Sequence, residues 1–210
     1  MDKAELMGRY REHVLETGHP PASVYAFTKS FGASERDFFE QFASFDALES
    51  GIWRTAVDET VAKVQESDDW EGFTAQQKLL TFHFAFTDQI LNHRSFFLAR
   101  FPRTTDRPGW PSKQLHGMRD SFVPFAKSIV DTGMERSEIV CRGPLNRGYP
   151  QGLFLHFLTV VDFNLNDDSQ GFERTDAFVE KSVRLAFDLI GTQAIDSAAD
   201  LVRFLFRRKS

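Results

Sequence analysis

Thr17–Trp53 reads TGHPPASVYAFTKSFGASERDFFEQFASFDALESGIW, and its punctuation predicts a run of short helices. Gly18, followed by His19, Pro20 and Pro21, cannot continue a helix, so a first helix over residues 2–17 stops there. Ser23 is placed to cap a second helix through Phe31, with Val24, Phe27 and Phe31 as its apolar stripe. Gly32 ends that helix. Ser34 caps a third, with Asp37 at the capping-box position where Glu or Gln is usual. Phe38, Phe39 and Phe42 are expected to pack the third helix down. Ser44 opens a fourth, in which Leu48, Ile52, Val57, Val61 and Val64 are the buried positions. Helix, tight turn, helix is the pattern of a helix-turn-helix.

The chain to either side is helical as well. Leu6, Tyr10, Val14 and Leu15 share one face of the first helix, opposite a charged face. From Phe73 to about Phe101, Leu79, Phe82, Phe86, Ile90, His93, Phe97 and Phe101 recur at three- and four-residue steps, predicting one long helix. A Pro-, Arg- and Gly-rich loop, 102–111, separates it from a helix over about 112–132, interrupted or kinked by Pro124. Leu153–Phe163 is almost uniformly apolar. With no other run to pair with as a strand, it reads as a helix buried on several sides. Helices over 172–190 and 192–208 complete an all-α chain of roughly nine or ten helices.

Composition narrows the class. Phenylalanine is heavy, 23 Phe against 3 Tyr and 3 Trp, so much ring surface must face a core, an apolar ligand, a partner or lipid. The net charge of −5 argues weakly against a general nucleic-acid binder. The one cysteine, Cys141, precludes an internal disulfide and fits a reducing, cytoplasmic setting. Neither a signal-peptide core nor a run approaching a membrane span is evident, so no transmembrane helix is expected.

Residues 5–53 resemble the N-terminal domain of the TetR/AcrR regulators. The match runs without a gap from Gly18 to Leu48. It takes in Ser23, Val24, Phe27 in the family's Ile place, Thr28 in its Ala place, Gly32, Ser34, Phe39 in its Tyr place, and Phe42. The resemblance implies a three-helix helix-turn-helix domain over 1–50. It further implies a helical ligand-binding and dimerisation domain over 51–210, and a homodimer. Leu153–Phe163 and the helix over 172–190 are the candidate dimer interface; the plainer alternative places both in the monomer core.

The charges depart from that family. Where it presents Lys, Gly, Thr and Tyr-like residues to DNA, this chain has Glu35, Arg36, Asp37 and Glu40. The family's phosphate-contacting Lys at the start of the fourth helix is Phe45. Residues 1–50 carry five basic and nine acidic side chains, a balance of −4. Carboxylates facing phosphates are repelled, and base contacts cannot act until backbone contacts position the helix. The expectation is an atypical or lost DNA interface. If DNA binding is retained, Lys29, Ser34 and Arg36 are its residues.

The functional expectation therefore shifts to the rest of the chain. Phe82, Phe86, His93, Phe97, Phe122 and Phe125 are the candidate lining of a pocket for an apolar small molecule or lipid, with His83, His116 and His156 as further polar groups. A Phe-rich core with satisfied histidines is the alternative. The last helix carries Leu201, Phe204, Leu205, Arg207 and Arg208, a basic amphipathic end suited to a membrane interface or to packing on the body. In layout the chain is also similar to the lipid-binding accessory proteins of ubiquinone biosynthesis, which implies a second reading: lipid presentation at the inner face of a membrane without DNA. Arg142 beside Cys141 could lower that thiol's pKa. No metal-ligand spacing, phosphate loop or nucleophile motif is present, so neither metal, cofactor nor enzymatic activity is expected.

Overall fold

A computed structural model describes residues 1–102 and 112–191. Nine α-helices, and no strand, form among these residues: α1 (Lys3–Thr17), α2 (Val24–Lys29), α3 (Glu35–Phe39), α4 (Phe45–Gln65), α5 (Ala75–Leu91), α6 (Arg94–Arg100), α7 (His116–Glu135), α8 (Tyr149–Leu165) and α9 (Glu173–Gly191). No described helix is long and apolar enough to cross a membrane. The predicted helix over 192–208 lies outside the described residues.

The helix ends follow the sequence signals. Asp2, Ser23, Ser34, Ser44 and Thr74 each accept a backbone N–H of the first turn they precede. Gly18 closes α1 in the left-handed conformation, at φ 78°, that a side chain rarely adopts. Ser34 and Asp37 form the full capping box, so the shorter Asp serves where Glu is usual.

The C-terminal helices pack around α4, which lies against α7 most extensively and against α5. Close approach of α4 and α7 depends on Gly117. A Cβ there would stand 2.0 Å from the Ser50 carbonyl oxygen, while the Gly117 N–H donates to Ser50 Oγ at 2.8 Å. α8 closes on α7 and α9, burying Phe154, Phe157, Leu158, Val160 and Val161. Leu153–Phe163 is thus helical, and α7 continues through Pro124 as one helix.

Three expectations are corrected. The long helix from Phe73 is two: α5 ends at Leu91, and His93 (φ −137°, ψ 28°) turns the chain into α6. The bend lets Arg94 donate to the carbonyls of Leu165 (3.1 Å) and Asp167 (3.0 Å), capping the end of α8. It also sends Phe96 against Tyr10 and Phe97 against Trp53. The apolar spacing runs on unbroken because both helices face the same core. Phe39 does not pack down; it is 54% exposed, since Phe38 takes the inner face of the five-residue α3 and Phe42, just past its end, is buried beside it. Leu15 is likewise exposed, one position past the face set by Leu6, Tyr10 and Val14.

The α4–α7 contact gives a sharp contrast. Gly117→Ala should destabilise by about 3 kcal/mol, because the obstruction is backbone and cannot move aside. Gly8→Ala, in open space on α1, should stabilise by about 0.5–1 kcal/mol. Urea denaturation of both variants measures the difference.

Candidate functional site

Three surfaces or clusters carry the candidate residues. The first is the exposed side of α2 and α3. Lys29, Ser34 and Arg36 are all exposed there. Ser34 Oγ donates to Asp37 Oδ2 at 2.6 Å, and the Ser34 N–H donates to the same oxygen at 2.9 Å. These bonds to Ser34 hold the Asp37 carboxyl below its ordinary pKa. Arg36 Nε donates to Glu40 Oε1 at 2.8 Å, and Lys29 Nζ stands 5.3 Å from the centre of the Tyr25 ring. Arg36 is therefore partly neutralised. Phe45 packs on Phe38, Tyr10 and Phe27 at 5.3, 5.4 and 5.7 Å between ring centres. Its position serves the core, with no charge to offer a phosphate.

Glu49 belongs to the module's acidic count yet lies inside. Its Oε1 accepts from Arg100 Nε at 2.6 Å and from the Tyr10 hydroxyl. A buried carboxylate on α4 thus ties α1 to α6. Burial and the bond to Glu49 raise the Tyr10 pKa, so the phenol remains a donor. Sequence reading missed this triad. The available signal was an acid adjacent to Leu48 and three residues before Ile52, on the buried stripe.

The second cluster is aromatic. Phe82, Phe122 and Phe125 meet at 5.0–6.2 Å between ring centres, and Phe86 joins through Phe82 at 5.8 Å. Phe157 of α8 completes the set, 4.5 Å from Phe122 and 4.7 Å from Phe86. His83 is fully buried beside them, and neither ring nitrogen has a partner among the described residues. The His156 ring lies 5.1 Å from it, with Nε2 2.9 Å from Ser182 Oγ. Burial holds His83 well below the ordinary imidazole value and lowers His156 to about 4, so both are neutral at pH 7.

His93 and Phe97 stand apart from that cluster. They line a cleft between α1, α4 and the α5–α6 turn. His116 is exposed at the start of α7. Leu201, Phe204, Leu205, Arg207 and Arg208 lie outside the described residues.

The third feature is the outer face of α8 and α9. Leu155, Leu185 and Leu189 are 51%, 59% and 45% exposed there, and Phe163 of α8 stacks on Phe178 of α9 at 4.3 Å. Near its edge, Cys141 is exposed. Its pKa is lowered by hydrogen bonds from the Gly143 backbone and Asn146. The Arg142 guanidinium is engaged by the Tyr149 hydroxyl, at 2.7 Å, and the Ile190 carbonyl.

Residues 78–205 match the family model described as tetracyclin repressor-like, C-terminal domain. No curated protein sequence matches the chain. Among solved structures, the fatty acid degradation regulator FadR from Bacillus halodurans superposes with a TM-score of 0.60 at 13% identity, over 88% of this chain and 94% of that one. The TetR-family transcriptional regulator PfmR from Thermus thermophilus superposes with a TM-score of 0.51 at 16% identity, over 88% of this chain and 96% of that one.

The two neutral histidines set a pH dependence. Their folded-state pKa values lie below the unfolded ones, so the unfolded chain binds more protons and stability falls as pH drops below about 6.5. For His156 the loss runs down to about 4 and reaches roughly 2–3 kcal/mol. Chemical denaturation between pH 7 and about 4.5 should show this slope, and His156→Asn should flatten it.

Proposed function

The chain belongs to the tetracyclin repressor-like C-terminal domain family, and from that premise we propose a homodimeric ligand-binding protein whose helix-turn-helix no longer reads an ordinary operator. One observation carries the DNA part. The face that would meet the duplex offers Glu35 and Glu40, with Arg36 tied to Glu40 and Phe45 turned into the core. Positioning on DNA draws on free cations that neutralise phosphates. Here the packing of the motif is intact while its charge is reversed.

Dimerisation is supported by the α8–α9 face. Leu155, Leu185 and Leu189 give the outside of these two packed helices exposed large apolar side chains of the kind enriched at interfaces. A two-fold pairing would bury it against its own copy. The ligand would sit among the C-terminal helices, against the Phe82, Phe86, Phe122 and Phe125 rings, where His83 offers one donor and one acceptor without partners among the described residues. An apolar body with one neutral polar group suits that chemistry. Residues 1–50 remain a three-helix module carried by this body.

Binding to the chain's own upstream DNA at low salt is expected to be weak and independent of sequence. The double variant Glu35→Lys/Glu40→Lys should tighten non-specific binding by about tenfold or more, with a steeper salt dependence. Nanomolar, sequence-dependent binding by the unaltered chain would refute the lost-operator reading. Separately, light scattering should report a dimer for the chain and a monomer for Leu185→Glu/Leu189→Glu, with helicity retained.

A further inference from the structure

The cleft holding His93 and Phe97 is distinct from the aromatic core. It has a volume of about 240 Å³ and is walled by α1, α4, α5 and α6. Met7, Ile52 and Phe97 supply apolar lining, and Arg11, Glu59 and His93 polar lining. Periodicity explains the shape. Met7 and Arg11 are one turn apart on α1, and Ile52 and Glu59 are two turns apart on α4, so each helix turns one stripe into the cleft.

The charges in this cleft are unusual in their pairing. Arg11 and Glu59 line the same small cavity, yet no salt bridge joins them. Arg11 makes no hydrogen bond or ion pair among the described residues. Glu59 makes no ion pair among the described residues and accepts from the neutral Gln89 amide at 2.9 Å. Partial burial, then Arg11, hold the His93 imidazole below its ordinary value, while Glu59 pulls it up, so both charges act on the same ring.

A cleft lined by one cation and one anion that are not paired with each other, together with apolar side chains, matches a molecule carrying both charges on a compact head. A simple carboxylate would meet Glu59, and a simple amine would meet Arg11. A long lipid is too large, since the cavity falls below the usual range of about 300–1,000 Å³ for ligand sites. We propose that this cleft binds a small apolar zwitterion of the amino-acid type. Its carboxylate lies on Arg11, its ammonium on Glu59, and its side chain against Met7, Ile52 and Phe97. One wall is α1, so occupancy ties the helix-turn-helix module to the C-terminal helices.

The test is calorimetric titration of the full chain with L-leucine and L-phenylalanine, then with N-acetyl-L-phenylalanine and L-phenylalanine methyl ester. The last two keep the body and remove one charge each. At least one free amino acid should bind, and each single-charge analogue should bind about tenfold or more weakly than L-phenylalanine. Arg11→Gln and Glu59→Gln should each weaken the free amino acid similarly, while Arg9→Gln, outside the cleft, leaves it unchanged. Arg11→Gln should also abolish the penalty for the methyl ester, as expected when one variant and one analogue remove the same contact. Failure of both amino acids to bind, equal binding of the N-acetyl analogue, or binding insensitive to both cleft variants would overturn the proposal.

Discussion

The Glu49 carboxylate is the constraint on which the arrangement of this molecule rests. It is buried on α4 and bonded to Tyr10 of α1 and Arg100 of α6, residues 39 and 51 positions away. An unpaired charge in such a place would cost several kcal/mol. The chain therefore cannot seat α1 or α6 elsewhere without exposing Glu49 or abandoning it. Apolar packing alone tolerates sliding, since rings and methyls accept many neighbours. A buried ion pair with a directed hydrogen bond fixes register. Tyr10 serves both roles, its ring against Phe27, Phe45 and Phe96 and its hydroxyl on Glu49.

That seat explains how the N-terminal module holds its form independently of what its outer face carries. Its fold depends on caps, on the left-handed Gly18 and Gly32, and on the Phe27–Phe38–Phe45 cluster. None of these needs a cation on the outer face. Acids on the outer face of α3 leave the interior untouched, and the Asp37 carboxylate strengthens the cap. Stability and electrostatic function are separable here because they use opposite faces of the same short helices.

The C-terminal helices show the reverse coupling, with polar groups inside an aromatic interior. His83 and His156 stay neutral because burial disfavours their charged forms. Neutral imidazoles among rings keep their hydrogen-bonding capacity at a cost in stability. Their meeting joins α5 to α8 across more than seventy residues of sequence, a separation at which no local pattern operates.

Much of the fold was legible in the chain because helix ends are local chemistry. Ser23, Ser34 and Ser44 announce caps, Gly18 announces a stop, and stripes such as Phe82–Phe86–Ile90 announce an inner face. Ambiguity entered where one stripe served two helices, at His93, and where a face ended, at Leu15 and Phe39. Of the candidate ligand residues, the four core phenylalanines meet, whereas His93 and Phe97 were carried to another cleft by that turn. By itself the sequence determined the helical class, the helix-turn-helix pattern and the acidic balance of residues 1–50, since propensity, capping and charge reside in single residues and their near neighbours. Only the tertiary structure decided which acid is buried, which histidines meet, and that Arg11 and Glu59 share a cavity unpaired. Those are relations between distant helices, set by packing and desolvation.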